Sequence, residues 1–182
     1  MDIYKQIIIL LITIVCVIIV VIMAIIKSKN KPALDVTKIG LKVGEYIPEI
    51  DYKDINDTSR KIEENFLNDS RILIIMDSNC KECMKLMQGL EIVNSEYLKL
   101  VKFVFTETEI SRHKVSNYNF NKNAIFIDAK NITNDLKVNA FPFYYVININ
   151  GEIVSKGTLS AYNLIEFITE NELSPKLNSQ LA

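Results

Sequence analysis

The tetrad Cys80-Lys81-Glu82-Cys83 follows an apolar run, Ile72-Leu73-Ile74-Ile75-Met76, and opens a segment where Cys83, Leu86, Met87, Leu90, Val93 and Tyr97 recur at spacings near three and four. The run reads as a buried strand of a parallel sheet, the segment as a helix with one apolar face. This order of strand, C-x-x-C and helix is more specific than the four residues alone. A thiol at a helix N-terminus feels the positive end of the helix dipole, which favours the thiolate, the form that attacks a disulfide. Cys83 lies one turn further on, close enough to close a ring with Cys80 and release a bound partner.

The same tetrad fits half of a zinc site, or two thiols that merely pack in a core. Structural zinc takes four Cys or His ligands, and the chain has three cysteines and one histidine. Cys16 lies in an apolar stretch, so Cys80, Cys83 and His113 are one ligand short unless a carboxylate or a second chain contributes. A lone His in a polar stretch is ordinarily a solvated surface residue, and His113 receives no site role.

From Ile7 to Ile26, twenty consecutive residues carry no charge. At 1.5 Å per residue they match the roughly 30 Å of a bilayer's hydrocarbon core, and a single transmembrane helix is expected. The run ends in Ala24-Ile25-Ile26-Lys27 without the small-x-small pattern of a cleaved signal, and Val15 stands where a lipoprotein signal at Cys16 needs a small residue. Lys5 precedes the span while Lys27, Lys29, Lys31 and Lys38 follow it, which by the positive-inside rule favours a cytoplasmic C-terminal domain. That rule weakens when a long folded domain follows the span.

Residues 1–6 form the N-terminal flank, 7–26 the span, 27–40 a polar linker broken by Pro32 and Gly40, 41–175 one domain and 176–182 a tail. A net charge of −1 without a basic stripe argues against nucleic acid as a partner. Eighteen lysines against three arginines, with abundant Ile and Asn, suggest an AT-rich, bacterial genome.

Beyond the linker, a short strand is expected near Glu49 to Tyr52, a helix over 59–68, a strand from Arg71 to Asp77 and the C-x-x-C helix from Cys80 to about Leu98. Leu100 to Thr106 reads as a second strand, followed by a polar, partly helical stretch to Asn123 and a short strand from Ala124 to Asp128. Ile132 to Val138 reads as a short helix, and Phe143 to Ile149 as a strand. Asn150-Gly151 is a favourable type I′ dipeptide, so Glu152 to Lys156 should pair antiparallel with the strand before it. Ser160 is placed to cap a closing helix with Ala161, Leu164, Ile165 and Ile168 on its apolar face, and Pro175 lies beyond its end. The expectation is an α/β domain with a mixed central sheet and helices on both faces.

Pro142 starts a strand that otherwise reads as central, where a residue without an N–H is out of place unless it only marks the strand's entry. Leu41-Lys42-Val43-Gly44-Glu45-Tyr46-Ile47-Pro48, the strand ending in Cys80-Lys81-Glu82-Cys83, and Ala140-Phe141-Pro142 running into Val146 to Val154 together resemble the membrane-anchored redoxins of the TlpA, ResA and MauD kind. The resemblance covers roughly residues 41 to 170. It implies a thioredoxin fold outside the cytoplasmic membrane, with Cys80 attacking, Cys83 resolving and Pro142 the cis-proline beside the dithiol. It also implies a Cys80–Cys83 disulfide as the redox centre, with no separate cofactor and no metal. Phe141, Lys81 and Glu82 would border the substrate groove.

Departures from the family pattern limit what carries over. Lys81-Glu82 is neither Gly-Pro nor Glu-Pro, so reduction potential does not transfer, and Ile74 stands where thioredoxins place the buried Asp that assists the second cysteine. Another base, or water, would have to serve. The Pro-x-x-x-Thr-x-x-Cys pattern of peroxidatic cysteines has Leu73 and Asp77 in its first two places here. The expected activity is thiol-disulfide oxidoreduction, in either direction, on extracytoplasmic protein substrates, recharged by a membrane thiol donor or electron carrier. The alternatives are a thiol-based copper chaperone, a thiol peroxidase of the same fold and an interaction domain with an inert dithiol.

Overall fold

The computed structural model describes residues 3–29, 36–62, 71–164 and 166–167. Two compact units divide after Asp35. The first is helix α1, Ile3–Lys29, whose Gln6–Met23 window is long and apolar enough to cross a membrane, a property spans share with signal sequences. The expected linker residues 30–35 and the tail 176–182 lie outside the described residues, as do Ile165, Ile168 and Pro175.

In the second unit, seven strands form one sheet: β1 Asp51–Asp54, β2 Ser59–Lys61, β3 Ile72–Met76, β4 Val101–Thr106, β5 Ala124–Ile127, β6 Phe143–Ile147 and β7 Ile153–Thr158. Their order across the sheet is β2-β1-β5-β4-β3-β6-β7. β3, β4 and β5 run parallel, while β6, β7, β1 and β2 add antiparallel pairs at the two sides. β3 is an interior strand, between β4 and β6, and is buried along its whole length. Because successive side chains point to opposite faces, Ile72, Ile74 and Met76 join one core while Leu73 and Ile75 join the other. Both faces therefore need cover, which explains the unbroken apolar run in the sequence.

Among the described residues the strands are accompanied by helices α2 Lys81–Leu90, α3 Ser95–Leu98, α4 Glu109–Ser116 and α5 Ala129–Asn134, with helical residues also at Leu164, Glu166 and Phe167. α2 buries Cys83, Leu86, Met87 and Leu90 against the face that holds Ile72, Ile74 and Met76. Ile132 on α5 packs on the opposite face with Leu41, Leu136 and Val138. Thr108 caps α4, its hydroxyl accepting the Ser111 N–H at 3.0 Å. Arg112 ties α4 down: its guanidinium lies 4.6 Å from the Phe126 ring centroid, donates to the Asp54 carbonyl at 2.8 Å and pairs with Asp57 at 3.1 Å.

Four expectations need correction. The helix expected over 59–68 is replaced at its start by β2, because Ser59, Arg60 and Lys61 pair with Lys53, Tyr52 and Asp51 across the Asp54–Asp57 turn; residues 63–68 lie outside the described residues. The C-x-x-C helix stops at Leu90 rather than Leu98, where Glu91 caps it with an N–H to the Gly89 carbonyl, and Tyr97 is exposed. The short helix expected from Ile132 starts earlier, at Ala129, because the Asp128 carboxylate caps it through the Lys130 N–H at 2.8 Å. The hairpin turn is not type I′, which needs positive φ at both central residues. Gly151 has φ 80° but Asn150 is not left-handed; the Gly151 N–H closes the turn on the Asn148 carbonyl at 3.0 Å, and the Asn148 side chain accepts from the Asn150 and Glu152 amides.

The entry to the domain is locked by one tyrosine. Tyr145, buried on β6, donates to the Leu136 carbonyl and accepts from the Leu41 N–H, both at 2.7 Å. Gly40 has φ 75°, and a Cβ there would collide with the Tyr145 hydroxyl, so glycine is required on both counts.

Candidate active site

β3 delivers the chain through Asp77-Ser78-Asn79 to Cys80 at the N-cap of α2. The Cys80 sulfur accepts the Cys83 N–H at 3.3 Å, taking the place that a Ser or Asp side chain usually fills at a helix start. It also lies 3.6 Å from the Phe141 carbonyl oxygen, to which the thiol donates. Cys80 is half-buried, whereas Cys83 has no exposed surface. Burial pushes the Cys83 thiol far above its ordinary range, and its hydrogen bond with Cys80 adds to this against an opposing backbone hydrogen bond from Asp77.

Phe141 and Pro142 approach from the start of β6. The Phe141–Pro142 peptide bond is cis, Pro142 is buried, and its carbonyl accepts the Leu159 N–H at 3.2 Å. Phe141 is half-buried and packs against the cores on both sheet faces. Cys80, Cys83, Phe141 and Pro142 are thus brought together although 61 residues separate Cys80 from Phe141. Lys81 and Glu82 are exposed on the first turn of α2, and Glu82 turns along the helix to pair with Lys85 at 2.8 Å. Solvent and salt screen an exposed pair of this kind, so its effect on the dithiol is small.

His113 is exposed on α4. No cluster of three or more His, Cys, Asp or Glu side chains suited to a metal ion occurs among the described residues. Leu73 is buried in β3 and Asp77 sits in the turn after it, so neither supplies the Pro and Thr groups of a peroxide pocket.

Sequence reasoning missed how the dithiol loop is held. The buried Ser78 and Ser111 hydroxyls meet at 2.9 Å, and Thr108 donates to Ser111 at 2.8 Å. Lys114 donates to the Ser78 carbonyl at 3.0 Å and to the Asn79 side chain at 3.1 Å. The available signal was Thr108-x-x-Ser111, a helix-start pattern, together with three polar residues between an apolar strand and Cys80. In the sequence Asp77 stands out only as the residue in the place of the peroxidatic Thr. Its carboxylate accepts the Asn79 N–H at 2.7 Å and its carbonyl accepts the Cys80 N–H at 3.1 Å.

No protein-family model matches the sequence, and no curated protein sequence matches it. Solved structures do resemble the fold. A thiol:disulfide interchange protein from Bacteroides sp. superposes with a TM-score of 0.54 at 16% identity, over 77% of this chain and 96% of that one. The thioredoxin domain of a thiol-disulfide oxidoreductase from Bacteroides vulgatus gives 0.51 at 17% identity, over 71% and 97%. The peroxidoxin BcpB from Mycobacterium tuberculosis gives 0.52 at 10% identity, over 72% and 96%. At these identities the likeness establishes the fold: the domain is thioredoxin-like, with a mixed sheet and flanking helices. Structures named as thiol:disulfide interchange proteins and one named as a peroxidoxin share it, so activity must be argued from the site.

Proposed function

We propose that this chain is a membrane-anchored thiol-disulfide oxidoreductase of the TlpA, ResA and MauD kind, acting through Cys80 and Cys83 on extracytoplasmic protein substrates. The observation that carries the reading is the asymmetry of the pair: a half-buried sulfur at the N-cap of α2, and a fully buried thiol one turn along whose own N–H points to it. Two equivalent zinc ligands or two merely packed thiols would not require that difference. Cys80 attacks a substrate disulfide and forms a mixed disulfide, and Cys83 then displaces the reduced substrate and leaves the Cys80–Cys83 disulfide. Phe141 and the exposed Lys81 and Glu82 border the place where the substrate chain lies. The 27-residue helix α1 anchors the domain to lipid, and a membrane thiol donor or electron carrier resets the pair.

Trapping tests this directly. In membranes of expressing cells, Cys83→Ser should accumulate reductant-sensitive protein adducts that Cys80→Ser does not, because Cys80 still attacks and nothing displaces the partner. Protease added to intact spheroplasts should digest the domain. Equal adduct levels in the two variants would overturn the exchange reading, and full protection from protease would place the domain in the cytoplasm, as the lysine count suggests.

A further inference from the structure

We infer that Lys114 of α4 is a positioning residue for the attack of Cys80 on the substrate disulfide, an assignment that deepens the exchange chemistry proposed above and rests on it.

The parallel strands β3 and β4 end at the same edge of the sheet, so the turn that leaves β3 and the helix that follows β4 are neighbours there. The turn is Asp77-Ser78-Asn79-Cys80, closed by the Cys80 N–H on the Asp77 carbonyl at 3.1 Å. Its two central residues are Ser78 and Asn79, and α4 holds both. Ser78 is buried, and its hydroxyl meets that of the buried Ser111 at 2.9 Å. The Lys114 ammonium donates to the Ser78 carbonyl at 3.0 Å and to the Asn79 side-chain oxygen at 3.1 Å. Ser111 and Lys114 are three residues apart, so one face of α4 presents both to the turn. Ordering a lysine side chain costs rotamer freedom, and here that cost is offset by two hydrogen bonds to the two residues immediately before the nucleophile.

On its other side Cys80 is held by α2, its carbonyl accepting the Met84 N–H at 3.0 Å and its sulfur the Cys83 N–H at 3.3 Å. The two sets of contacts fix different distances. α2 fixes Cys80 against Cys83, since both lie on one helical turn. The clamped turn fixes where the start of α2 stands against Phe141, whose carbonyl oxygen is 3.6 Å from the Cys80 sulfur, and hence against the substrate that Phe141 borders. Lys114 acts on the second distance and not on the first. Because a misplacement of about 1 Å can cost about 10²-fold in rate, a loosened turn slows the attack on substrate and leaves the ring closure by Cys83 intact.

In the attack, the Cys80 thiolate forms an S–S bond to one substrate sulfur as the substrate S–S bond breaks, and the other substrate sulfur leaves as a thiolate. Cys83 then forms the Cys80–Cys83 bond, the mixed disulfide breaks, and the Cys83 proton goes with the second departing sulfur. The substrate disulfide gains the two electrons that the dithiol loses, and Lys114 exchanges neither proton nor electron in either step.

The reduced full-length chain in detergent is mixed with an excess of a synthetic disulfide-bonded peptide and quenched by acid and alkylation at intervals, and the Cys80 adduct is followed by mass spectrometry. Attack is read from adduct formation in the Cys83→Ser background, and resolution from adduct decay with Cys83 present. Lys114→Met should slow attack by about tenfold and keep resolution within about twofold of wild type. Asn79→Ala keeps the backbone N–H that Asp77 accepts but removes one of the two oxygens that Lys114 holds, so it should slow attack as well, and Lys114→Met should then cost less than it does with Asn79 in place. Lys114→Gln provides a second variant if the first does not fold. Attack as fast as in the parent chain, equal slowing of both steps, or effects of Lys114→Met and Asn79→Ala that simply multiply would overturn the role of Lys114 and leave the exchange reading intact. A Cys83→Ser chain with Lys114 in place that forms no Cys80 adduct would remove both.

Discussion

The Cys80 sulfur lies 3.6 Å from the carbonyl oxygen of Phe141, the residue before Pro142. The start of β6 thus borders the half-buried cysteine and leaves the buried one beneath it. A reagent that reaches this site meets Cys80 first.

Iodoacetamide at pH 7 should therefore label Cys80 at least about tenfold faster than Cys83 in the reduced native chain, since Cys83 has no exposed surface and its burial disfavours the thiolate. Time-resolved peptide mapping gives both rates. Comparable rates would reverse the assignment of attacking and resolving roles.

Alkaline pH should destabilise the reduced domain in two stages. An unfolded cysteine ionises near about pH 8.5, whereas the folded Cys83 thiol keeps its proton to much higher pH, chiefly because it is buried. Above that point the unfolded chain binds fewer protons than the folded one, so the stability present below about pH 8.5 is lost as pH rises, by up to about 1.4 kcal/mol per unit. Tyr145, raised by burial, adds a second loss that begins near about pH 10. Denaturant titrations across pH 7 to 11 should show the first loss disappear in Cys83→Ala and the second in Tyr145→Phe. An unchanged slope between pH 8.5 and 10 in Cys83→Ala would refute the account.

Tyr145→Phe removes one hydroxyl and leaves the Leu41 N–H and the Leu136 carbonyl without their buried partner. The cost should be about 1–3 kcal/mol, or several degrees in Tm. Gly40→Ala should also destabilise the domain, through its φ of 75° and through collision with the same hydroxyl. Because the Tyr145 hydroxyl causes part of that clash, Gly40→Ala should cost less in the Tyr145→Phe background. A double-mutant cycle by chemical denaturation measures the difference, and strict additivity would show that the hydroxyl and the glycine are not coupled.

Local pattern determined much of this domain. The run Ile72 to Met76 is apolar at every position because β3 is covered on both faces, and that condition is visible in one dimension. Cys83, Leu86, Met87 and Leu90 announce their shared face by helical spacing, and all four are buried. The Cys80 to Cys83 spacing likewise fixes one sulfur at a helix cap and the other a turn inside. Pro142 stood out because a residue without an N–H began an apolar strand, although its placement beside the dithiol was legible only through the family pattern.

Tertiary contact decided the rest. Ser59 to Lys61 carry no strand pattern and are all exposed; they extend because β1 offers them an edge to pair with. The α2 boundary fell at Leu90 because the apolar spacing that continues to Tyr97 does not oblige Tyr97 to be buried. Hydroxyls at Ser78 and Ser111 are 33 residues apart, and no local periodicity relates them; the β3–β4 crossover brings them to 2.9 Å.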